Sequence, residues 1–176
     1  MSLVALGDSI TADRRSWASW VARALELPYT SYAVNGAVVA DVLRDQLPRV
    51  RPGHDVACLY AGVNDARSPG FDPSAFETDL LGVARELSGR AERVLMVTLP
   101  LELGRPTAAP KPAIANRAVR RVAAAVGAAL CELDDLRGER ELLPDLVHPT
   151  AMGQIAIADR AARVLGAAVL PSALAG

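Results

Sequence analysis

Residues 3–11 read Leu3-Val4-Ala5-Leu6-Gly7-Asp8-Ser9-Ile10-Thr11. Four apolar residues in a row, without polar alternation, are expected of a strand buried on both faces of a parallel sheet. Gly7 then permits a sharp exit from the strand. Ser9 falls where a helix would begin, so its side chain projects at the carboxyl edge of the sheet. A serine in that place ordinarily serves only as a helix N-cap. Strand, tight turn and helix together open a βαβ unit, and the rest of the chain extends it.

Further nearly continuous apolar runs occupy residues 30–34, 56–60, 94–99 and 128–133. Helical periodicity lies between them, first as Trp17, Trp20, Val21, Ala24 and Leu25, then over residues 39–47, 73–87, 114–126 and 151–165. Strands alternating with helices imply right-handed crossovers and a parallel sheet. The expected fold is α/β, a three-layer α/β/α sandwich with a five-stranded parallel sheet. No internal repeat or shift of composition divides residues 1–176, so a single domain is expected. In such a sheet ligands sit at the carboxyl ends of the strands. Chemistry is therefore expected in the turns after Leu6, Val34, Tyr60, Leu99 and Leu133. Residues 100–112 hold four prolines and Gly104 and read as a loop at the rim of the site. Residues 161–174 are Ala-rich and break at Pro171, which reads as a packed helix and a frayed end.

The charges nearly cancel, to a net −1. Nucleic-acid and membrane-surface partners normally require a basic excess, so a small molecule is the expected partner. Met1 leads straight into the first strand, and no apolar run approaches the roughly 18 residues of a membrane span. Cys58 and Cys131 lie in apolar runs and match no zinc pattern or CxxC pair, so they read as buried, inert thiols. With no leader visible, a reducing cytoplasmic setting is the expectation.

The chain has two histidines. His54, in Pro52-Gly53-His54-Asp55, enters the third strand at its amino end and reads as a solvated turn residue on the wrong edge. His148 lies in Asp145-Leu146-Val147-His148-Pro149, just before the last helix. A carboxylate three residues before a histidine can reach its Nδ1–H, fix the tautomer and stabilise the imidazolium. A serine hydroxyl is a poor nucleophile until a positioned base takes its proton, so the case for Ser9 stands or falls with His148. Acyl transfer also needs donors for the developing oxyanion. Asn35-Gly36-Ala37 offers a backbone N–H that a ligand can approach closely, and Ala61-Gly62-Val63-Asn64-Asp65 offers the Asn64 amide. Each of these motifs alone is ordinary turn chemistry. Together, Ser9, Gly36, Asn64 and Asp145/His148 fall on four separate loops at one predicted edge.

At these residues the sequence resembles the SGNH (GDSL) hydrolases. Gly7-Asp8-Ser9-Ile10 is similar to the family's first block and Gly36 to the glycine of its second. Gly62-Val63-Asn64-Asp65 resembles the third, and Asp145-Leu146-Val147-His148-Pro149 the fifth. The likeness runs from residue 4 to about residue 165. It implies a flavodoxin-like SGNH fold and an esterase with a Ser9, His148 and Asp145 triad. It also implies an oxyanion hole from the Ser9 and Gly36 N–H groups and the Asn64 side chain, with no metal or organic cofactor. Two positions depart from the pattern: Ile10 stands where Leu is usual, and Asn35 where a small serine is frequent.

The site admits other chemistry, as an acyltransferase or carbohydrate O-deacetylase. A binding protein in which Ser9 only caps a helix is the remaining alternative. Trp17 and Trp20, three apart, read as a helix face packed on the sheet. Asp8 and Asp65 adjoin the candidate positions, but without a second histidine or a carboxylate cluster they read as structural hydrogen-bonding groups, not metal ligands. Arg67 and Arg105 lie on loops near the predicted cleft and can steer an acidic substrate, although rim arginines usually do nothing specific.

Overall fold

The computed structural model describes residues 1–138 and 140–167. Its strands are β1 (Leu3–Gly7), β2 (Tyr29–Ser31), β3 (His54–Tyr60), β4 (Ala91–Val97) and β5 (Ala129–Cys131). They form one all-parallel sheet in the order β2-β1-β3-β4-β5. β1 is buried along its whole length, as its unbroken apolar run requires. The helices are α1 (Ser9–Ala12), α2 (Trp17–Ala24), α3 (Val39–Asp41), α4 (Val63–Arg67), α5 (Pro73–Ser88), α6 (Lys111–Val126) and α7 (Ala151–Val164). α2 packs against α7 and α5 against α6, so the sheet is covered on both faces and the expected three-layer α/β fold is present.

The differences from expectation are local and have physical causes. Residues 39–47 do not form one α-helix. α3 is three residues long and runs into a π-helical turn, Val42–Gln46, and a 3₁₀ turn, Leu47–Arg49. Pro48 cannot donate to a carbonyl one turn back, and its ring crowds that carbonyl, so regular winding fails there. α6 starts before the expected residue 114, because Pro112 suits a first helical turn. The rim loop is correspondingly shorter. The edge strands are shorter than the runs at 30–34 and 128–133, although Tyr32 and Val34 still donate to Ala5 and Gly7 of β1 (2.9 and 3.1 Å). His54 is the first residue of β3, not a free turn residue, and its Nδ1 lies 2.7 Å from Ser2 Oγ. It remains at the amino edge, as expected.

The core runs beneath the first turn. Trp17 is fully buried and meets Tyr60 edge to face, ring centroids 6.1 Å apart. Its indole N–H donates to Thr11 Oγ1 at 3.1 Å. Trp20 is only half-buried, and the Arg23 guanidinium stacks on it at 5.3 Å. Cys58 and Cys131 are buried free thiols. Burial pushes the Cys58 thiol far above its ordinary range and Cys131 up to about 12. Among the described residues no helix is long and apolar enough to cross a membrane. Residues 168–174, part of the expected C-terminal stretch, lie outside the described residues.

Candidate active site

From β1 the chain moves out to β2 on one side and returns to β3 on the other. The crevice at the carboxyl ends of β1 and β3 is therefore the switch point of the sheet, where ligands of doubly wound folds bind. Gly7 ends β1 at φ +150°, and a Cβ there would lie 2.1 Å from the Tyr60 carbonyl oxygen. Only glycine allows the two strands this approach. Gln46, buried in the π-helical turn, donates its amide to Gly7 O at 2.8 Å and accepts from Gly7 N–H at 3.0 Å. Next, Asp8 rather than Ser9 is the N-cap of α1, its carboxylate accepting from Ile10 N–H at 3.0 Å. Ser9 is thus the first helical residue, its hydroxyl is not used as a cap, and its N–H has no intrahelical acceptor.

The Ser9 hydroxyl lies 3.0 Å from His148 Nε2, and His148 Nδ1 lies 2.6 Å from Asp145 Oδ2. The other oxygen, Asp145 Oδ1, accepts from the Val147 and His148 N–H groups at 2.9 and 3.0 Å. One carboxylate therefore shapes the turn through one oxygen and aims the ring through the other, which is what the three-residue spacing allows. Burial pushes the Asp145 carboxyl up, but the His148 ring and the two N–H donors outweigh this and hold it below the ordinary carboxylate range. With Nδ1–H given to Asp145, Nε2 is left to accept from Ser9. Leu146, between the two, takes a left-handed backbone at φ 53°. The loop is closed by Leu143 N–H on His148 O (2.8 Å) and Thr150 N–H on Glu141 O (2.9 Å), and Gly104 N–H ties it to the rim through Leu146 O (2.9 Å).

The two remaining loops are laced to the Ser9 turn. Val34 N–H donates to Gly7 O, and Ala37 N–H closes the Val34–Gly36 turn on Val34 O. Gly36 sits at φ +79°, exposed, with open space where a Cβ would be. The Asn64 amide donates to Ala37 O at 3.0 Å, which occupies one of its two N–H groups. Asp65 accepts from Val39 N–H, fixing α4 against the same loop. The structure thus places Ser9, His148 and Asp145 in contact, and sets Gly36 on a loop and Asn64 in the first turn of the adjoining α4, without a hydrogen bond from either to Ser9 among the described residues.

Beneath the hydroxyl lies an unusual carboxyl. Burial raises Asp8 to about 7, the Ile10 N–H counteracts, and the nearby Asp65 raises it further. Asp65 is itself raised to about 6, again mainly by burial. Among the described residues the second Asp8 oxygen has no hydrogen-bond partner, as suits a carboxyl that holds a proton near neutrality. No group of three or more His, Cys, Asp or Glu able to hold a metal ion occurs among the described residues. A cleft of about 470 Å³ opens beside Asn64, walled by α4, the rim loop and the start of α6. Arg67 lines it and Arg105 does not.

Sequence reading missed the residues that join these parts across long separations. Gln46 is one. Gln154 of α7 is another, accepting from Trp17 N–H at 2.7 Å and donating to Ile10 O at 3.1 Å. Gly153 is a third, where a Cβ would sit 1.9 Å from Glu141 O. None carries a local signal, because each partner is distant in sequence.

A hydroxyl, an imidazole and a carboxylate in one hydrogen-bonded line at this switch point define a serine-hydrolase type of site. The chain belongs to the GDSL-like lipase/acylhydrolase family, whose model matches residues 5–156, and is accordingly a hydrolase acting on esters. The fold is similar to solved structures along nearly its whole length. LAE5, an alpha/beta hydrolase enzyme from the metagenome of Lake Arreo, Spain, matches with a TM-score of 0.77 at 20% identity, over 94% of each chain. Axe2, an acetylxylan esterase from Geobacillus stearothermophilus, matches at 0.76 and 18%, over 97% of this chain and 96% of that one. The acetyl xylan esterase AlAXEase matches at 0.72 and 20%, over 91% and 97%. Among curated proteins none matches the chain by sequence.

Proposed function

We propose that residues 1–176 act as one domain, a serine esterase of short acyl esters that works through an acyl-enzyme on Ser9. The observation that carries this is the line from Ser9 Oγ to His148 Nε2 (3.0 Å) and from Nδ1 to Asp145 (2.6 Å). In the proposed cycle His148 Nε2 takes the Ser9 proton as Oγ attacks the ester carbonyl. The oxyanion is received by the Ser9 and Gly36 N–H groups and by the Asn64 N–H not given to Ala37. His148 then protonates the departing alkoxide, leaving an ester on Ser9. A water, deprotonated by His148, attacks that ester, and the returned proton frees Ser9 with release of the acid. Asp145 stays ionised throughout and stabilises the imidazolium. Turnover of p-nitrophenyl acetate and butyrate by wild type and Ser9→Ala tests the reading. Loss of all enzymatic turnover in the variant is expected, and equal rates would overturn it.

The likeness to the acetylxylan esterases Axe2 and AlAXEase favours one second reading, removal of acetyl groups from a carbohydrate by the same site. Release of acetate from an acetylated xylo-oligosaccharide, faster than from p-nitrophenyl acetate at equal concentration, would select it.

A further inference from the structure

We infer that the cleft beside Asn64 is an acyl subsite built for an acyl group that ends in a carboxylate, so that half-esters of dicarboxylic acids are preferred substrates. The inference rests on the esterase reading above. The cleft, about 470 Å³, is within the range of small-molecule sites. Its lining includes Asn64, Arg67, Ser68, Thr107 and Lys111 and, among the described residues, no acidic one. Arg67 and Lys111 form no ion pair among the described residues. Arg44, Arg90, Arg120, Arg121, Arg160 and Arg163 each engage a carboxylate, while the remaining arginines, Arg67 among them, form no ion pair among the described residues.

Of the two cations Lys111 is held in place, whereas Arg67 is exposed and its side chain forms no hydrogen bond among the described residues. Lys111 Nζ donates to Ser68 O at 2.6 Å, which fixes the ammonium on the wall and leaves two N–H groups for a ligand. Arg67 lies against the rim backbone, its Nε 3.4 Å from the point where Gly104 would carry a Cβ. The positive end of the 16-residue α6 opens on the same wall, at Lys111. An anion entering here gains two charge-assisted donors and displaces no internal partner.

The position relative to the reacting atoms says which half of the ester enters. The leaving oxygen must lie within reach of His148 Nε2 to collect its proton. Neither His148 nor Ser9 lines the cleft, whereas Asn64, the proposed oxyanion donor, does. The acyl chain therefore runs past Asn64 into the cleft, and the alcohol leaves on the His148 side. Attack by Ser9 on a glutaryl half-ester forms the glutaryl-Ser9 ester and releases the alcohol. Water then cleaves this ester, restoring the Ser9 hydroxyl and releasing the glutarate dianion and one proton to solvent.

The test compares monoethyl glutarate with ethyl valerate, its neutral counterpart of equal length, followed by ethanol release. Wild type is expected to show the higher kcat/KM on monoethyl glutarate. The ratio should fall about tenfold in Arg67→Gln/Lys111→Gln, mainly through KM, and should shrink with added salt. A ratio unchanged in the double variant, or a wild-type preference for the neutral ester, overturns the subsite. Cleavage of neither ester overturns the esterase reading instead, and glutarate itself then tests the cleft. Calorimetric binding of glutarate to Ser9→Ala, abolished by adding the two Gln substitutions, supports the subsite, and no binding overturns it. If the double variant melts early, Arg67→Glu on the exposed position takes its place, with the same fall in ratio expected.

Discussion

The Ser9 turn and the Asp145/His148 loop meet at one hydrogen bond but are built in opposite ways. Asp8 is fully buried, Gly7 is pressed against Tyr60 O, and the turn is gripped by Gln46 from 39 residues away. The Asp145 and His148 side chains are 45% and 43% exposed and are shaped mostly by bonds within residues 141–150. The proposed nucleophile thus sits half-buried on a turn built from the core, while the proposed base is a local surface structure docked onto it. Damage to the first should be read as lost stability, and damage to the second as lost activity in a protein that still folds.

The largest effect expected is on rate alone. His148→Ala should lower kcat/KM by about 10⁴-fold or more, roughly 5.5 kcal/mol of transition-state stabilisation. Its melting temperature should stay within about 2 °C of wild type, since an exposed loop position removes little buried surface. A cooperative loss of structure in this variant would show that the loop is not independent of the core. Next in size, Gly7→Ala should cost about 3 kcal/mol or more of stability, lowering Tm by roughly 6–12 °C, because a Cβ meets a backbone oxygen that cannot swing aside. Gly36→Ala is its control. Open space surrounds that position, so only the left-handed backbone is strained, at about 1 kcal/mol. Thermal melts of the two variants side by side decide whether the contrast holds.

The same contrast explains what was legible in the sequence. The buried strands announced themselves as apolar runs, because a strand covered on both faces has no polar alternation to hide it. Ser9, Asp145 and His148 stood out because their geometry is local: a glycine turn after a strand, and a carboxylate three residues before a histidine. The region 39–47 misled, since apolar periodicity says helix while Pro48 and the demand for Gln46 at Gly7 bend the chain into π and 3₁₀ turns. That Ser9 follows its cap instead of being it was invisible too, because Asp8 and Ser9 are both good capping residues and only the backbone decides. Gln46, Gly153 and Gln154 act through distant partners and carry no pattern a single sequence can reveal.

Asp8 sharpens the comparison from below. Its folded-state value of about 7 stands above the ordinary 3.8, so the native protein holds a proton that the unfolded chain releases. The stability this contributes is present below about pH 4 and is lost as pH rises through 7. Asp8→Asn keeps an acceptor for Ile10 N–H and cannot ionise. It should therefore be more stable than wild type at pH 8, with the gap shrinking by about 2.5 kcal/mol on going to pH 5. Asp145, held below the ordinary range, pulls the other way, its contribution being lost on acidification. A Tm difference between Asp8→Asn and wild type that does not change between pH 5 and 8 would mean that Asp8 is ionised in the folded protein.

The smallest expected effect tests the joint between the two regions. Gln154 of α7 accepts from Trp17 N–H and donates to Ile10 O, so one side chain registers the helix that follows His148 against the helix that begins at Ser9. Gln154→Leu keeps the bulk and removes both bonds. Trp17 N–H lies at the first turn of α2 and loses its acceptor, which should cost about 1 kcal/mol of stability. The larger consequence is geometric, since a shift of α7 displaces Nε2 from the hydroxyl and a proton transfer depends steeply on that distance. We expect kcat to fall about tenfold, about 1.4 kcal/mol, with KM little changed. Asp145 is untouched, so the pH at which activity rises should stay where wild type has it. A change confined to KM, or a shifted pH profile, would mean that Gln154 acts on substrate binding or on the base itself and not on the distance between base and nucleophile.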